Sequence, residues 1–261
     1  MQMQIRYIYH DGFLVELEKT VLLFDYWKGN LPPIDPGKQL CVFASHVHPD
    51  HFSFEIFRLR EKYPDVQYFL GNDIRRKFNE RSFENHGVPE EAYRRIAFMK
   101  AGTTGTGVVV PENNGTTGTG VVVPKTAGAT GTGVVVRALQ STDSGVAFLV
   151  SCERKEIFHA GDLNDWSFEK NDEETNAMER SDYRRIIDGI RGAHFDAAFL
   201  PLDPKQGKFT GAGFDYFMRS TDTEEAWPMH RWGNEAVLPE FLRNPLSEPY
   251  RGRIRNPEEY R

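Results

Sequence analysis

The stretch Ser45–His51 reads SHVHPDH and places three imidazoles (His46, His48 and His51) and a carboxylate (Asp50) within six positions of a 261-residue chain that holds 8 histidines. Neutral imidazole and ionised carboxylate are together the donors that Zn²⁺, Mn²⁺ and Fe²⁺ accept. In an extended segment His46 and His48, two apart, point the same way, whereas the neighbours Asp50 and His51 point apart. That division suits two ions better than one. A His-rich surface loop with no ligand role is the plain alternative, and the crowding of so many of the histidines into one short stretch argues against it.

Such donors converge only if the backbone beneath them is rigid. LCVFA (40–44), an apolar run bounded by polar residues, reads as a strand buried on both faces, so the cluster leaves from a strand's carboxyl end. Upstream, residues 3–9 alternate, and the β-rich runs Phe13–Glu18 and Thr20–Phe24 are divided by a short charged turn at Glu18 and Lys19, a hairpin or meander closed by Asp25. Downstream, Ser53–Lys62 carries helical spacing and Gln67–Leu70 reads as a strand; residues 72–96, charged and broken by Gly and Pro, read as helical pieces outside the sheet. A second strand-rich half follows with VVVRAL from Val134, then Val146–Ser151, Glu156–Phe158 and Ala197–Leu200, so the pattern of the first half recurs in the second.

Between the halves lies a tandem repeat of period 13: TTGTGVVVPENNG (103–115), TTGTGVVVPKTAG (116–128) and ATGTGVVVRALQS (129–141). Solenoids use longer amphipathic units in larger numbers. The repeat is therefore expected to be a local duplication, an extra hairpin or an excursion on one sheet edge. The expected organisation is a single domain over 1–261 with this Gly/Thr/Val insertion at about 103–136.

Composition narrows the function. A net charge of −6, from 32 Lys and Arg against 38 Asp and Glu, gives no general attraction to nucleic acid or anionic lipid. The two cysteines, Cys41 and Cys152, each sit in an apolar run and fit buried thiols in a reducing compartment. The opening MQMQIRYIYHDGFLVEL lacks the apolar core of a secretory signal, and no run approaches the roughly 20 apolar residues of a membrane span. A cytoplasmic protein acting on a small molecule, away from membranes, is the expectation.

SHVHPDH matches the HxHxDH signature of the metallo-β-lactamase superfamily, and the chain resembles that superfamily over nearly its whole length outside the repeat. IFHAGDLN (157–164) resembles the segment whose Gly-Asp aspartate bridges two metals, which implies Asp162; WPMHRWG (227–233) resembles the segment supplying the last histidine, which implies His230. The resemblance implies a four-layer αβ/βα sandwich, α/β in class, and a hydrolase using a metal-activated water, with one or two divalent ions, zinc or manganese ahead of iron. YHDGFLVEL, VLLFDYW, the FHAGD form, FLPLDP (199–204) and the PMH form look like the branch that includes ascorbate-6-phosphate lactonase, which adds His10 and Asp25. One departure stands out. Family members place a ligand histidine near Ser141–Asp143, where this chain has QSTDSG, and Asp143 is the group that can replace it.

The expected metal ligands are thus His46, His48, Asp50, His51, Asp143, Asp162 and His230, with Asp50 and His159 as catalytic groups. Asp50 would orient the water and take its proton; His159, three residues before Asp162, would donate to a ligand or to substrate. Asp203 and Lys205 follow the strand ending at Leu200, within a loop's reach of the site, while His86 and His194 read as structural or exposed. The substrate implied is a small anionic metabolite, a lactone or phosphoester. A nuclease is the same-fold alternative, against which the acidic charge counts; a redox or non-catalytic metal protein is the alternative from another class.

Overall fold

A computed structural model of the chain describes residues 3–100, 107–108 (backbone only) and 133–261. Two six-stranded mixed sheets face each other. The first runs in chain order: β1 (Gln4–Tyr9), β2 (Gly12–Glu16), β3 (Thr20–Phe24), β4 (Gln39–Ala44), β5 (Gln67–Gly71) and β6 (Ile96–Met99). Its β1–β2 and β2–β3 pairings are antiparallel and the rest parallel. The second holds β7 (Gly107–Val108), β8 (Val134–Gln140), β9 (Val146–Cys152), β10 (Lys155–His159), β11 (His194–Pro201) and β12 (Asp222–Met229). It too begins as an antiparallel meander, from β7 to β10, and ends in parallel pairings through β12. The recurrence expected between the two halves is therefore a recurrence of sheet topology.

Alternation along the strands explains the layers. In β3 and β4, Leu22, Phe24, Cys41 and Phe43 face the second sheet, whereas Val21, Leu23, Leu40, Val42 and Ala44 face outward. Together with Phe13 of β2, the inward set meets its partners through aromatic contacts, Phe13 with Phe199 at 4.5 Å and Phe43 with Phe148 at 5.3 Å between ring centroids. Each such pair adds about 0.5–1.5 kcal/mol beyond area burial. The outward set is covered by the segment Phe54–Glu61 and by α1 (Asn72–Lys77), α2 (Glu80–Asn85) and α3 (Glu90–Tyr93), through Ile56, Phe57, Ile74, Phe83 and Ala92. Phe54–Glu61 forms a 3₁₀ helix rather than an α-helix, started by Ser53, whose side chain accepts from the Glu55 amide. On the other side, α4 (Glu173–Asp188) and α5 (Ala212–Ser220) cover the second sheet, with Phe217 against Phe158 at 4.7 Å. A last helix, α6 (Val237–Arg243), packs Phe241 on Phe214. The architecture is the four-layer αβ/βα sandwich expected from the sequence.

The final unit of the tandem repeat supplies β8, whose Val135 and Val136 pair with Val108 and Gly107. The remainder of the repeat, and with it the expectation of an added hairpin, lies outside the described residues. Among the described residues no helix is long and apolar enough to cross a membrane.

Candidate metal centre

The segment after β4 is a turn, not an extended strand. The amides of His51 and Phe52 both donate to the His48 carbonyl, at 3.0 and 2.9 Å, and curl the chain so that all its donors face one pocket. His46 Nε2 and His48 Nδ1 approach to 2.9 Å, as their spacing led one to expect. The expectation that Asp50 and His51 diverge fails for the same reason: within the turn, Asp50 Oδ2 lies 3.9 Å from His51 Nε2.

Other strand ends complete the pocket. Asp143 leaves from the β8–β9 connection, Asp162 from the end of β10, Asp203 from the end of β11 and His230 from the end of β12, while His10 and Asp11 form the two-residue turn between β1 and β2. Gly145 lets the Asp143 loop close on the cluster. Its φ is +67°, and a Cβ there would meet the Ser45 carbonyl at 2.1 Å and His46 Cβ at 2.4 Å. Three sets of donors emerge, each with ligand atoms within 4.8 Å of one another: His46, His48, Asp143 and Asp162; Asp11, His51, Asp162 and His230; and His10, Asp50, His51 and His230. Asp162 links the first two sets, with Oδ2 3.3 Å from His46 Nε2 and Oδ1 3.3 Å from both His51 and His230 Nε2.

The imidazoles are held from behind. Asp25, fully buried, accepts from the Ser45 amide at 2.7 Å and Ser45 Oγ–H at 2.6 Å, and sits 2.7 Å from His51 Nδ1. Because Ser45 Oγ spends its proton on Asp25, it is left to accept from His46 Nδ1 at 3.0 Å. Both rings therefore turn Nε2 inward as a lone pair when neutral. Asp203 Oδ2 stands 3.4 Å from His230 Nδ1 and also accepts from Trp232 Nε1. His10, Asp25, His230 and Trp232 all adopt positive φ, at 55°, 39°, 58° and 54°, so backbone strain collects around this pocket.

Carboxylates and imidazoles in the pocket shift one another's titration strongly. Burial lowers the pKa of His51, but the carboxylates of Asp162, Asp11 and Asp25 override it and hold the ring well above its ordinary value. His230 rises to about 9, where Asp11, Asp162 and Asp203 outweigh burial. Asp162 and Asp50 lie well below the carboxylate range despite burial, Asp162 through His51, His230 and His46, Asp50 through His10 and His51. Several buried atoms nonetheless have no hydrogen-bond partner: His10 Nε2, both Asp11 oxygens, His51 Nε2 and Asp162 Oδ1. Orphaned buried polar atoms are costly. A divalent ion satisfies several at once, and the donor set, imidazole with carboxylate, suits Zn²⁺, Mn²⁺ or Fe²⁺.

The structure thus brings His46, His48, Asp50, His51, Asp143, Asp162 and His230 together, with His10, Asp25 and Asp203 around them. His159 is placed differently from a catalytic group. It is fully buried and stacked on Phe24; its Nε2–H donates to the Asp11 carbonyl at 3.0 Å and its Nδ1 accepts from the Gly161 amide at 3.2 Å. With both nitrogens engaged and burial lowering its pKa, it fixes the Asp11 turn from the opposite sheet instead of moving a proton. Lys205 reaches the rim, its ammonium 3.2 Å from the centroid of Trp232, which lies 5.1 Å from the His230 ring. His86 caps Ser82 and stacks on Phe54, and His194 pairs with Asp222; neither approaches the pocket. Asp11 and Ser45 have site positions that sequence reasoning did not find.

Comparison with solved structures places this architecture. A metallo hydrolase from the archaeon Ignicoccus hospitalis superposes with a TM-score of 0.57 at 13% identity, covering 97% of this chain and 94% of that one. A metallo-β-lactamase fold protein from Bacillus subtilis gives 0.55 at 10% identity, over 97% and 95%. A diiron β-hydroxylase from Streptomyces venezuelae gives 0.51 at 12% identity over 88% of this chain and 45% of that longer one. The chain has the metallo-β-lactamase fold. No family model matches it. A curated relative, a UPF0173 metal-dependent hydrolase from Opitutus terrae, is 41% identical over 63 residues, a match spanning 22% of this chain and 28% of the relative.

Proposed function

We propose that the protein is a metal-dependent hydrolase acting on a small anionic metabolite, a lactone or phosphoester, with two divalent ions held by His46, His48, Asp143 and Asp162 on one side and by His51, His230 and Asp162 on the other, Asp50 standing beside them. The observation that carries it is the pair of donor sets joined through Asp162, floored by buried atoms that lack hydrogen bonds. Bound divalent ions supply Lewis acidity and a water acidified to near neutral pH. The chain's own groups do the rest. Asp50, part-exposed and held ionised by His10 and His51, is the carboxylate placed to orient a water by accepting its hydrogen bond on the open side, with His10 Nε2 3.5 Å from its Oδ2. Lys205 and the half-exposed Trp232 form a cationic, aromatic rim suited to a small anion.

The lactone and phosphoester classes rest on the sequence resemblance described above and on this rim. The net charge of −6 weighs against nucleic acid. The two cysteines are free and buried, in keeping with a reducing, cytoplasmic setting. One observation favours a redox alternative: Asp143 makes the first donor set richer in carboxylate, which iron accepts readily. Metal analysis of protein reconstituted with Zn²⁺, Mn²⁺ or Fe²⁺, followed by a hydrolysis screen over lactones, phosphodiesters and RNA with and without oxygen, tests the proposal. Two equivalents of metal with oxygen-independent lactone or phosphoester hydrolysis are expected. Cleavage of RNA alone, or turnover only with iron and oxygen, would displace it.

A further inference from the structure

Among the donors around the pocket, Asp11 has no part in the chemistry above and yet is as deeply buried as His46 and His51. Its side chain is fully buried and neither oxygen has a hydrogen-bond partner. Oδ2 lies 3.2 Å from His10 Nε2 and 3.3 Å from His51 Nε2, distances of contact without the alignment of a hydrogen bond. A carboxylate buried in this way is expensive to keep. Turn chemistry does not require it either, since its oxygens cap no backbone amide. The backbone around it is instead fixed to aim it: His10 holds φ at 55°, and the Asp11 carbonyl accepts from His159 Nε2 in the opposite sheet at 3.0 Å.

Two overlapping donor sets compete for the second ion, and both contain His51 and His230. One adds Asp11 and Asp162; the other adds His10 and Asp50. Asp162 is the residue that joins the second ion to the first, so the set that holds it is the set with Asp11. Asp50 meanwhile is 24% exposed and 3.9 Å from His51 Nε2, against 3.3 Å for Asp11.

We propose, on the premise of the two-metal centre above, that Asp11 is a ligand of the second ion alongside His51, Asp162 and His230, and that Asp50 faces the open side of that ion with His10 behind it. Asp11 would raise the oxygen content of the second site, and with Asp50 in reach the chain would offer it more than four donors. Manganese or ferrous iron is then preferred there over zinc, which favours four-coordinate sites.

Calorimetric titration of metal-free protein with Mn²⁺, with metal content measured after gel filtration, tests this on wild type, Asp11→Asn and His48→Ala. Wild type is expected to take two ions and His48→Ala to lose the first while keeping the second. Asp11→Asn is expected to keep the first and to bind the second more weakly by a factor above the roughly 10–100-fold that loss of a merely supporting partner costs. A second ion bound by Asp11→Asn within that factor of wild type overturns the inference and leaves the two-metal centre standing. Wild type taking fewer than two ions overturns both. Anomalous-scattering crystallography of Mn²⁺-loaded wild type decides the matter without any variant: an Asp11 oxygen at about 2.0–2.2 Å from the second ion supports the assignment, and one outside its coordination sphere refutes it.

Discussion

Replacing Asp25 by Asn is a one-atom change that should disable both halves of the proposed metal centre from behind. Oδ2 of Asp25 receives Ser45 Oγ–H at 2.6 Å and faces His51 Nδ1 at 2.7 Å, while Oδ1 receives the Ser45 amide at 2.7 Å. An Asn can keep the amide bond through its oxygen, but its NH₂ then stands where Oδ2 was. It can only donate, so His51 must offer an Nδ1 lone pair and carry its proton on Nε2, the atom that faces the ion. Ser45 Oγ, no longer spending its proton on Asp25, ceases to fix His46 as well. Each of the two lost bonds is charge-assisted and worth about 1.5–3 kcal/mol, offset in part because a fully buried charge also disappears. The metal-free variant should therefore lose on the order of 3 kcal/mol of stability in urea unfolding. Loss of a partner that orients metal-bound histidine weakens metal binding about 10–100-fold, roughly 1.4–2.8 kcal/mol, and here both ions should feel it. Chelator competition with Zn²⁺ or Mn²⁺ on the folded variant is the assay. Unchanged affinity for both ions would show that the imidazoles do not depend on Asp25 for their tautomers.

Metal affinity should climb with pH, because His230, raised to about 9, is protonated in the metal-free protein at neutral pH and must release that proton to become a ligand. Calorimetry at pH 7 in buffers of different ionisation enthalpy should record proton release, and buffer-independent heats would contradict it. The same shift has the opposite sign for the metal-free fold. A raised pKa contributes stability in full below the unfolded value of 6.5, on the order of 3 kcal/mol, which is lost as pH passes through about 9; alkaline urea titrations should show the loss. Asp143→Ala should abolish binding of the first ion while Asp143→His retains it, as read by metal content; equal content in all forms would remove Asp143 from the ligand set. Gly145→Ala should cost more than about 2 kcal/mol and disturb the first ion, since its Cβ meets the Ser45 carbonyl at 2.1 Å with φ at +67°; a wild-type melting temperature would refute this. Saturating one site at 100 times its Kd adds about 2.7 kcal/mol, or roughly 5–11 °C in Tm for a domain of this size, so a chelator should lower Tm by that much per ion and re-addition should restore it.

How much of this was legible in the sequence depended on what each residue needed from distant chain. SHVHPDH disclosed the side chains that the pocket gathers because residue type and crowding suffice, and the central strands showed themselves because burial on both faces leaves unbroken apolar runs such as LCVFA. An extended segment would make Asp50 and His51 diverge; the turn that gathers them is made by two amides sharing the His48 carbonyl, which no side-chain pattern announces. Asp11 was hidden by its setting, since an aspartate before glycine in YHDG reads as turn chemistry. Only the opposite sheet, through His159, shows that it is aimed inward. The closeness of His159 to Asp162 in sequence suggests a catalytic role, but its two nitrogens are consumed by backbone groups. Helix α4 gave little signal because EETNAMERSDYRRIID buries only Asn176, Tyr183 and Ile187.

The carboxylates of Asp11, Asp25, Asp50, Asp162 and Asp203 crowd the inner pocket, and the raised pKa values of His51 and His230 show how the metal-free chain tolerates them: protons on imidazole stand in for cations. The pocket can therefore be neutralised in two ways, by imidazolium or by metal, and the two are exclusive because a ligand nitrogen cannot keep its proton. A small zinc finger, lacking a core, has no such choice and unfolds without its ion. Here the inter-sheet core built on Phe13, Phe24, Phe43, Phe148 and Phe199 supplies burial that needs no ion, so the metal-free fold is expected to persist at neutral pH, with metal entering by displacing protons rather than by driving folding. Acid should then strip the ions and, once it reaches the depressed pKa values of Asp162 and Asp50, weaken the fold as well, whereas alkali should strengthen metal binding and leave the metal-free form with unbalanced buried carboxylates. The two forms should diverge in stability as pH rises from 7 to 9, and that divergence measures how much of the site's charge was arranged for cations.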